Sequence, residues 1–120
     1  MSHPNPAARR RRFRELHATS GGFILPNPWD LGSARLLEAL GFEALATTSQ
    51  GAAAALGRRD GELTRDEAIE HARLLDGATE LPLSADLENG FGDAPEAAAT
   101  TVRAAAEAGL AGCSIEDYGT

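Results

Sequence analysis

Asp86 and Glu88 stand two residues apart, run into Asn89-Gly90-Phe91-Gly92-Asp93, and find a later counterpart in Glu116-Asp117. In extended backbone, side chains two apart project to the same side. If Glu116 joins them from a neighbouring strand, three carboxylates converge, repel one another and raise each other's pKa values. A hard, oxygen-preferring cation removes that repulsion. Mg²⁺ fits best (Mn²⁺ being the alternative), because it takes one or two protein carboxylates and keeps water at its other positions. The same spacing also describes a solvated acidic loop. The glycines at 90 and 92 would allow a close backbone approach or a mobile loop beside the acids.

Other chemistry-bearing residues are weaker alone. Thr47-Thr48-Ser49 leads into a helix start, where amides and hydroxyls suit a carboxylate or phosphate, or simply form an N-cap. Asp60, in Arg58-Arg59-Asp60-Gly61, is either an acid/base group or a surface ion-pair partner. His71 reads as an exposed mid-helix residue and Cys113 as part of an apolar strand. All 11 basic residues are arginine. Guanidinium cannot act as a Schiff-base amine, so lysine-dependent aldolase or pyridoxal chemistry is excluded for these residues by themselves. One cysteine allows no internal disulfide, and no Cys/His spacing suggests zinc.

These residues need elements to position them. Residues 1–22 form a basic segment and an N-terminal helix, with Phe13, Leu16 and His17 inward. From residue 23 to 120 the pattern alternates. Residues 23–25 predict a first strand, stopped by Pro26-Asn27-Pro28. Asp30 caps a helix with Ala34, Leu37 and Leu40 inward, and Gly41 ends it. A second strand over 42–46 and a short helix over 52–56 follow. Thr64 and Glu67 form a capping box for a helix reaching about Asp76, with Ala68, Ala72 and Leu75 inward. A third strand covers 82–85 and a fourth 112–115. Between them, Asp93 caps a helix with Ala98, Val102, Ala105 and Ala106 inward.

Alternation with short links indicates right-handed crossovers and a parallel sheet. Asn27, Thr47–Ser49, Asp86–Glu88 and Glu116 then all fall at carboxyl ends of strands, where α/β sites form. The net charge of −7 argues against a nucleic-acid partner. No apolar run is long enough to span a bilayer, no secretory signal is evident, and the cytoplasm is the expected compartment.

Taken together, 23–30, then Ala46-Thr47-Thr48-Ser49 leading to Leu56-Gly57 and Asp60, resemble the opening of the isocitrate lyase/phosphoenolpyruvate mutase family. The segment from Ser84 to Asp93 resembles that family's metal-site signature, and Ile115-Glu116-Asp117 its next strand end. The resemblance implies an α/β fold of parallel β/α units, the first half of a TIM (β/α)₈ barrel with about four strands. It implies Mg²⁺ held by Asp86 directly and by Glu88 and Glu116 partly through water, with Glu116 and Asp60 as catalytic groups. Thr47, Thr48 and Ser49 would surround the carboxylate or phosphonate end of a small α-keto acid. The implied reaction makes or breaks a C–C or P–C bond through an enolate, in a family whose intact members are expected to be homo-oligomers.

Such barrels run to about 250 residues, and the family's Lys-x-Cys-Gly-His-type loop, general acid and second-half arginine have no counterpart here. The leading expectation is therefore an enzyme fragment, inactive or nearly so alone. The alternative is a non-catalytic half-barrel module that binds a carboxylate or Mg²⁺ and self-associates. A flavodoxin-like binding domain is a third possibility.

Overall fold

Leu83 and Ala85 on one strand, and Leu87 just past its end, are buried, and around them the sheet and its helices assemble. The computed structural model describes residues 4–119. Its elements run α1 (Pro6–Ala18), α2 (Leu31–Ala39), β1 (Leu45–Ala46), α3 (Ser49–Ala55), α4 (Arg65–Gly77), β2 (Leu83–Asp86), α5 (Pro95–Glu107) and β3 (Gly112–Ser114). The strands pair in parallel, in the order β1-β2-β3. Leu45 stands opposite Leu83, Ser84 opposite Gly112, and Asp86 opposite Ser114. Helices connect successive strands, which is the β/α pattern expected.

The core lies between the sheet and the helices. Ala34 of α2, Ala72 and Leu75 of α4, and Ala105 of α5 pack on Leu45, Leu83 and Leu110. Alanine at the helix positions lets the helices sit close to the strands, and good helix propensity comes with it. Two of the three helix starts read from polar residues form as expected, those at Asp30 and Thr64. Thr64 Oγ1 accepts from the Glu67 amide while Glu67 reaches back to the Thr64 amide. Asp30 accepts from the Ser33 amide, and Ser33 Oγ accepts from the amides of Asp30 and Trp29. Such caps contribute about 1 kcal/mol each.

Several expectations are corrected. Among the described residues there are three strands, because residues 23–25 form no ladder. Pro26 and Pro28 supply no N–H. The extended segment instead touches β1 through the Ala46 amide to the Pro26 carbonyl (3.1 Å) and Asn27 Nδ2 to the Ala46 carbonyl (2.9 Å). In the expected second strand only Leu45 and Ala46 pair. α5 is entered through Ala94 with no side-chain cap, so Asp93 is not its N-cap. Val102 is 43% and Leu40 66% exposed, and Ala106 is also outward, so the inward face of α5 centres on Thr101 and Ala105. Cys113 is half-buried on β3.

α1 closes the end of the sheet at which the strands begin. Arg10 donates from Nη2 to the Ala106 carbonyl in the last turn of α5 (2.6 Å) and from Nε to the Leu110 carbonyl just past it (3.1 Å). Phe13 covers Gly112, where a Cβ would meet its ring at 2.7 Å. Arg9 and Asp76 are both buried and joined by two hydrogen bonds. Leu16 is buried as expected; His17 is exposed, its ring edge-on to Phe13 and Phe23. Among the described residues no helix is long and apolar enough to cross a membrane.

Candidate active site

At the opposite end of the sheet, the residues after β1, β2 and β3 meet. β2 carries Asp86 to its last position, and the carboxylate is held by the backbone rather than left free. Oδ2 accepts from the Ser49 amide at 2.9 Å, and Oδ1 accepts from the Glu88 amide at 3.1 Å. The Asp86 amide in turn donates to Thr47 Oγ1 at 3.0 Å. Thr47 is buried, and its own amide donates to the Ser84 carbonyl, so β1 and β2 are knitted together where they end. Each Asp86 oxygen retains acceptor capacity after these bonds.

The strand stops at Asp86, and Glu88 has φ +53°. The extended alternation that would put both acids on one side therefore does not reach Glu88. The left-handed turn aims it instead into a cleft of about 280 Å³ lined by Ser49, Asp60, Gly61, Glu88, Glu116 and Tyr118. The Glu116 amide donates to the Glu88 carbonyl at 2.7 Å, extending the β2–β3 register past its last ladder pair. Burial pushes the Glu88 carboxyl above the ordinary carboxylate range, and the charges of Asp60, Asp86 and Glu116 push it further. Asp60, Glu88 and Glu116 line that one cleft, and Asp86 accepts from the Glu88 amide behind it.

Gly90 and Gly92 serve packing rather than loop mobility. Gly90 has φ +89°, and a Cβ there would lie 2.9 Å from the Cα of Ala98; at Gly92 it would lie 2.6 Å from the Cβ of Ala97. Thr101, fully buried on α5, donates to the Gly90 carbonyl at 2.7 Å. The close backbone approach foreseen for these glycines is thus to α5. Asn89 ties the same loop to the next one: its Oδ1 accepts from the Phe91 amide and its Nδ2 donates to the Tyr118 carbonyl.

Thr48 is the N-cap of α3 and makes no side-chain cap bond, while Ser49 lines the cleft. The Ser49 amide is already engaged by Asp86. Asp60 is exposed and faces the cleft; Arg58 turns away from it to pair with Glu67 at 2.5 Å. His71 is half-buried rather than merely exposed, and Nε2 donates to the Trp29 carbonyl at 2.8 Å. Trp29 covers Gly51, where a Cβ would meet the indole at 2.5 Å. His71 therefore braces the 26–30 segment over α3, a role that the helix sequence around it does not mark. Tyr118 carries no sequence signal either, since nothing in its spacing separates it from a loop residue.

Among the described residues, no three of His, Cys, Asp and Glu stand close enough to hold one ion together. The donors around the cleft are nonetheless all oxygen. They suit a cation that takes one or two carboxylates directly and reaches the others through water, as Mg²⁺ does.

Residues 13–120 match the family model described as phosphoenolpyruvate phosphomutase. The chain belongs to this family. A Burkholderia cenocepacia J2315 protein assigned provisionally as a lyase/mutase superposes with a TM-score of 0.92 at 55% identity, over 95% of this chain and 41% of that one. The 2,3-dimethylmalate lyase of Eubacterium barkeri is 35% identical over 108 residues, which is 88% of this chain and 37% of that protein. An oxaloacetate acetylhydrolase in complex with its product oxalate superposes with a TM-score of 0.83 at 29% identity, covering 95% of this chain and 41% of that one. The family relatives are thus lyases, mutases and a hydrolase, and the chain spans about two fifths of the length of those it matches. Its three-stranded parallel sheet and helices are the first part of their TIM barrel.

Proposed function

We propose that this chain supplies the cation-binding side of a lyase- or mutase-type active site acting on a small α-keto acid or a related 2-hydroxy or phosphono acid. The observation that carries the reading is the meeting of Asp60, Glu88 and Glu116 on one cleft, with Asp86 fixed behind them by the Ser49 and Glu88 amides. Members of the family generally use a divalent metal. Asp86 would hold Mg²⁺ or Mn²⁺ directly, and Glu88 and Glu116 through water. Bound there, the cation would act as a Lewis acid and template for an enolate.

The chain's own residues would do the rest. Thr47 and the Ser49 amide orient Asp86. Thr48 and Ser49 would meet the carboxylate or phosphonate end of the ligand. Glu116 and Asp60 would accept or return a proton at the reacting carbon. Groups from beyond this stretch of the family's barrel would complete C–C or P–C bond cleavage.

Mn²⁺ titration followed by water-proton relaxation tests the proposal. Saturable binding that weakens in Asp86→Asn and Glu88→Gln is expected. Absence of binding at millimolar Mn²⁺, or binding that ignores both substitutions, would sink it.

A second reading, a self-associating half-barrel module, has one observation in its favour. Ile24 is 71% and Leu40 66% exposed, and the 23–25 segment that carries Ile24 joins no ladder. A stable dimer by light scattering that disperses on Ile24→Glu favours that reading; a monomer indifferent to the change does not.

A further inference from the structure

The carboxylate cleft is lined by three acids and by two hydroxyl-bearing residues, Ser49 and Tyr118. An anionic ligand entering such a cleft needs a hydrogen-bond donor as well as a cation. Carboxylates provide none at neutral pH, whereas a phenol does. Tyr118 is the chain's one tyrosine. Its backbone is pinned on both sides, by Asn89 Nδ2 donating to its carbonyl (3.2 Å) and by its own amide donating to the Glu116 carbonyl (3.1 Å). The ring therefore stands on a fixed base. It also forms part of the wall of the adjoining cleft of about 390 Å³, bounded by Asn89, Asp93, Pro95 and Ile115, and so separates the two spaces.

We infer that Tyr118 is a ligand-contacting residue whose hydroxyl donates a hydrogen bond to a carboxylate or enolate oxygen of the acid bound in the carboxylate cleft. This rests on the proposed small-acid chemistry of the same site and adds to it the group that reads the ligand's oxygen. Ser49 donates from the α3 side and Tyr118 from the β3 side, so a planar dicarboxylate would be held between them. A ligand with no oxygen at that end would leave the phenol unmatched.

Oxalate, a planar dianion, is the probe, with and without Mn²⁺. Ultraviolet difference spectra of the wild-type protein and Tyr118→Phe isolate the tyrosine signal from that of Trp29. Tyr118 is 46% exposed, so loss of its hydroxyl leaves the fold in place. Oxalate is expected to perturb the tyrosine band, and Tyr118→Phe to bind oxalate about tenfold more weakly with Mn²⁺ affinity within about twofold of wild type. No tyrosine perturbation, whether or not Mn²⁺ binds, overturns the inference. A perturbation with unchanged oxalate affinity also overturns it, because the phenol is then only a neighbour. A perturbation and affinity loss in a protein that binds no Mn²⁺ support Tyr118 and overturn the metal reading alone.

Discussion

Arg9 of α1 and Asp76 at the end of α4 face each other as a buried bidentate pair, Nη1 to Oδ1 at 2.6 Å and Nη2 to Oδ2 at 2.7 Å, across 67 positions of sequence. Both residues are more than nine-tenths buried, and Arg9 Nε is buried without a partner. Desolvation offsets much of the attraction in such a pair, but removing one partner strands the other charge. Arg9→Met or Asp76→Leu alone should each cost about 3–5 kcal/mol in urea unfolding. The double variant should recover most of that loss. If the double variant is as unstable as the worse single one, packing rather than charge governs the contact.

Gly90 cannot carry a side chain cheaply. Its φ of +89° opposes any substitution, and so does the Ala98 Cα, which would lie 2.9 Å from an added Cβ. Gly90→Ala should destabilise by at least about 2 kcal/mol, combining the left-handed penalty with the clash. It should also shift the loop from Asp86 to Phe91 and weaken Mn²⁺ binding. A variant with wild-type melting and Mn²⁺ affinity would show that the loop does not depend on its seat against α5.

Asp86→Asn tests the strand-end carboxylate in isolation. Asparagine keeps one oxygen acceptor but replaces the other with a donor, which faces the Ser49 or Glu88 amide. The metal-free protein should lose about 1.5–3 kcal/mol, the value of a charge-assisted bond, and Mn²⁺ affinity should fall at least about tenfold. Thermal melts and proton relaxation read the two effects separately.

Glu88 gives a pH prediction with a definite sign. Its carboxyl titrates above its ordinary value near 4.5, through burial first and then through Asp60, Asp86 and Glu116. The folded state therefore holds the proton more tightly than the unfolded chain. Its contribution to stability is full below the ordinary value and is lost as pH rises through the raised one. Measured against Glu88→Gln, the wild type should lose stability across that window, and millimolar Mg²⁺ should restore it. A difference between the two proteins that stays flat with pH would remove Glu88 from the charged cluster.

The local signals in this chain are legible because their causes are local. Thr64 with Glu67, and Asp30 before α2, meet their amides within three residues, and the glycines after α2 and α5 end those helices through positive φ at Gly41 and Gly109. Strand ladders are not local. Residues 23–25 have the composition of a strand, but the prolines that follow withhold donors from the side where β1 would need them. Val102 falls outside the inward face of α5 because an alanine-rich helix marks its buried stripe weakly. The acids are evident by type, whereas Glu88's turn, Asp86's backbone anchors and the part of Tyr118 in the cleft wall depend on the folded arrangement around them. Arg9 stands in a run of arginines, with nothing in that run to mark it as the buried one.

The placement of α1 also sets an order of events. Its partners include Asp76, Ala106, Leu110 and Gly112, so this helix docks on residues that follow its own by 67 to 100 positions. Contacts of that separation carry a loop-closure cost before they reward the chain. Nascent chains that stop before about Gly112 would lack the seats of Arg10 and Phe13, whose completion seals the sheet's lower end.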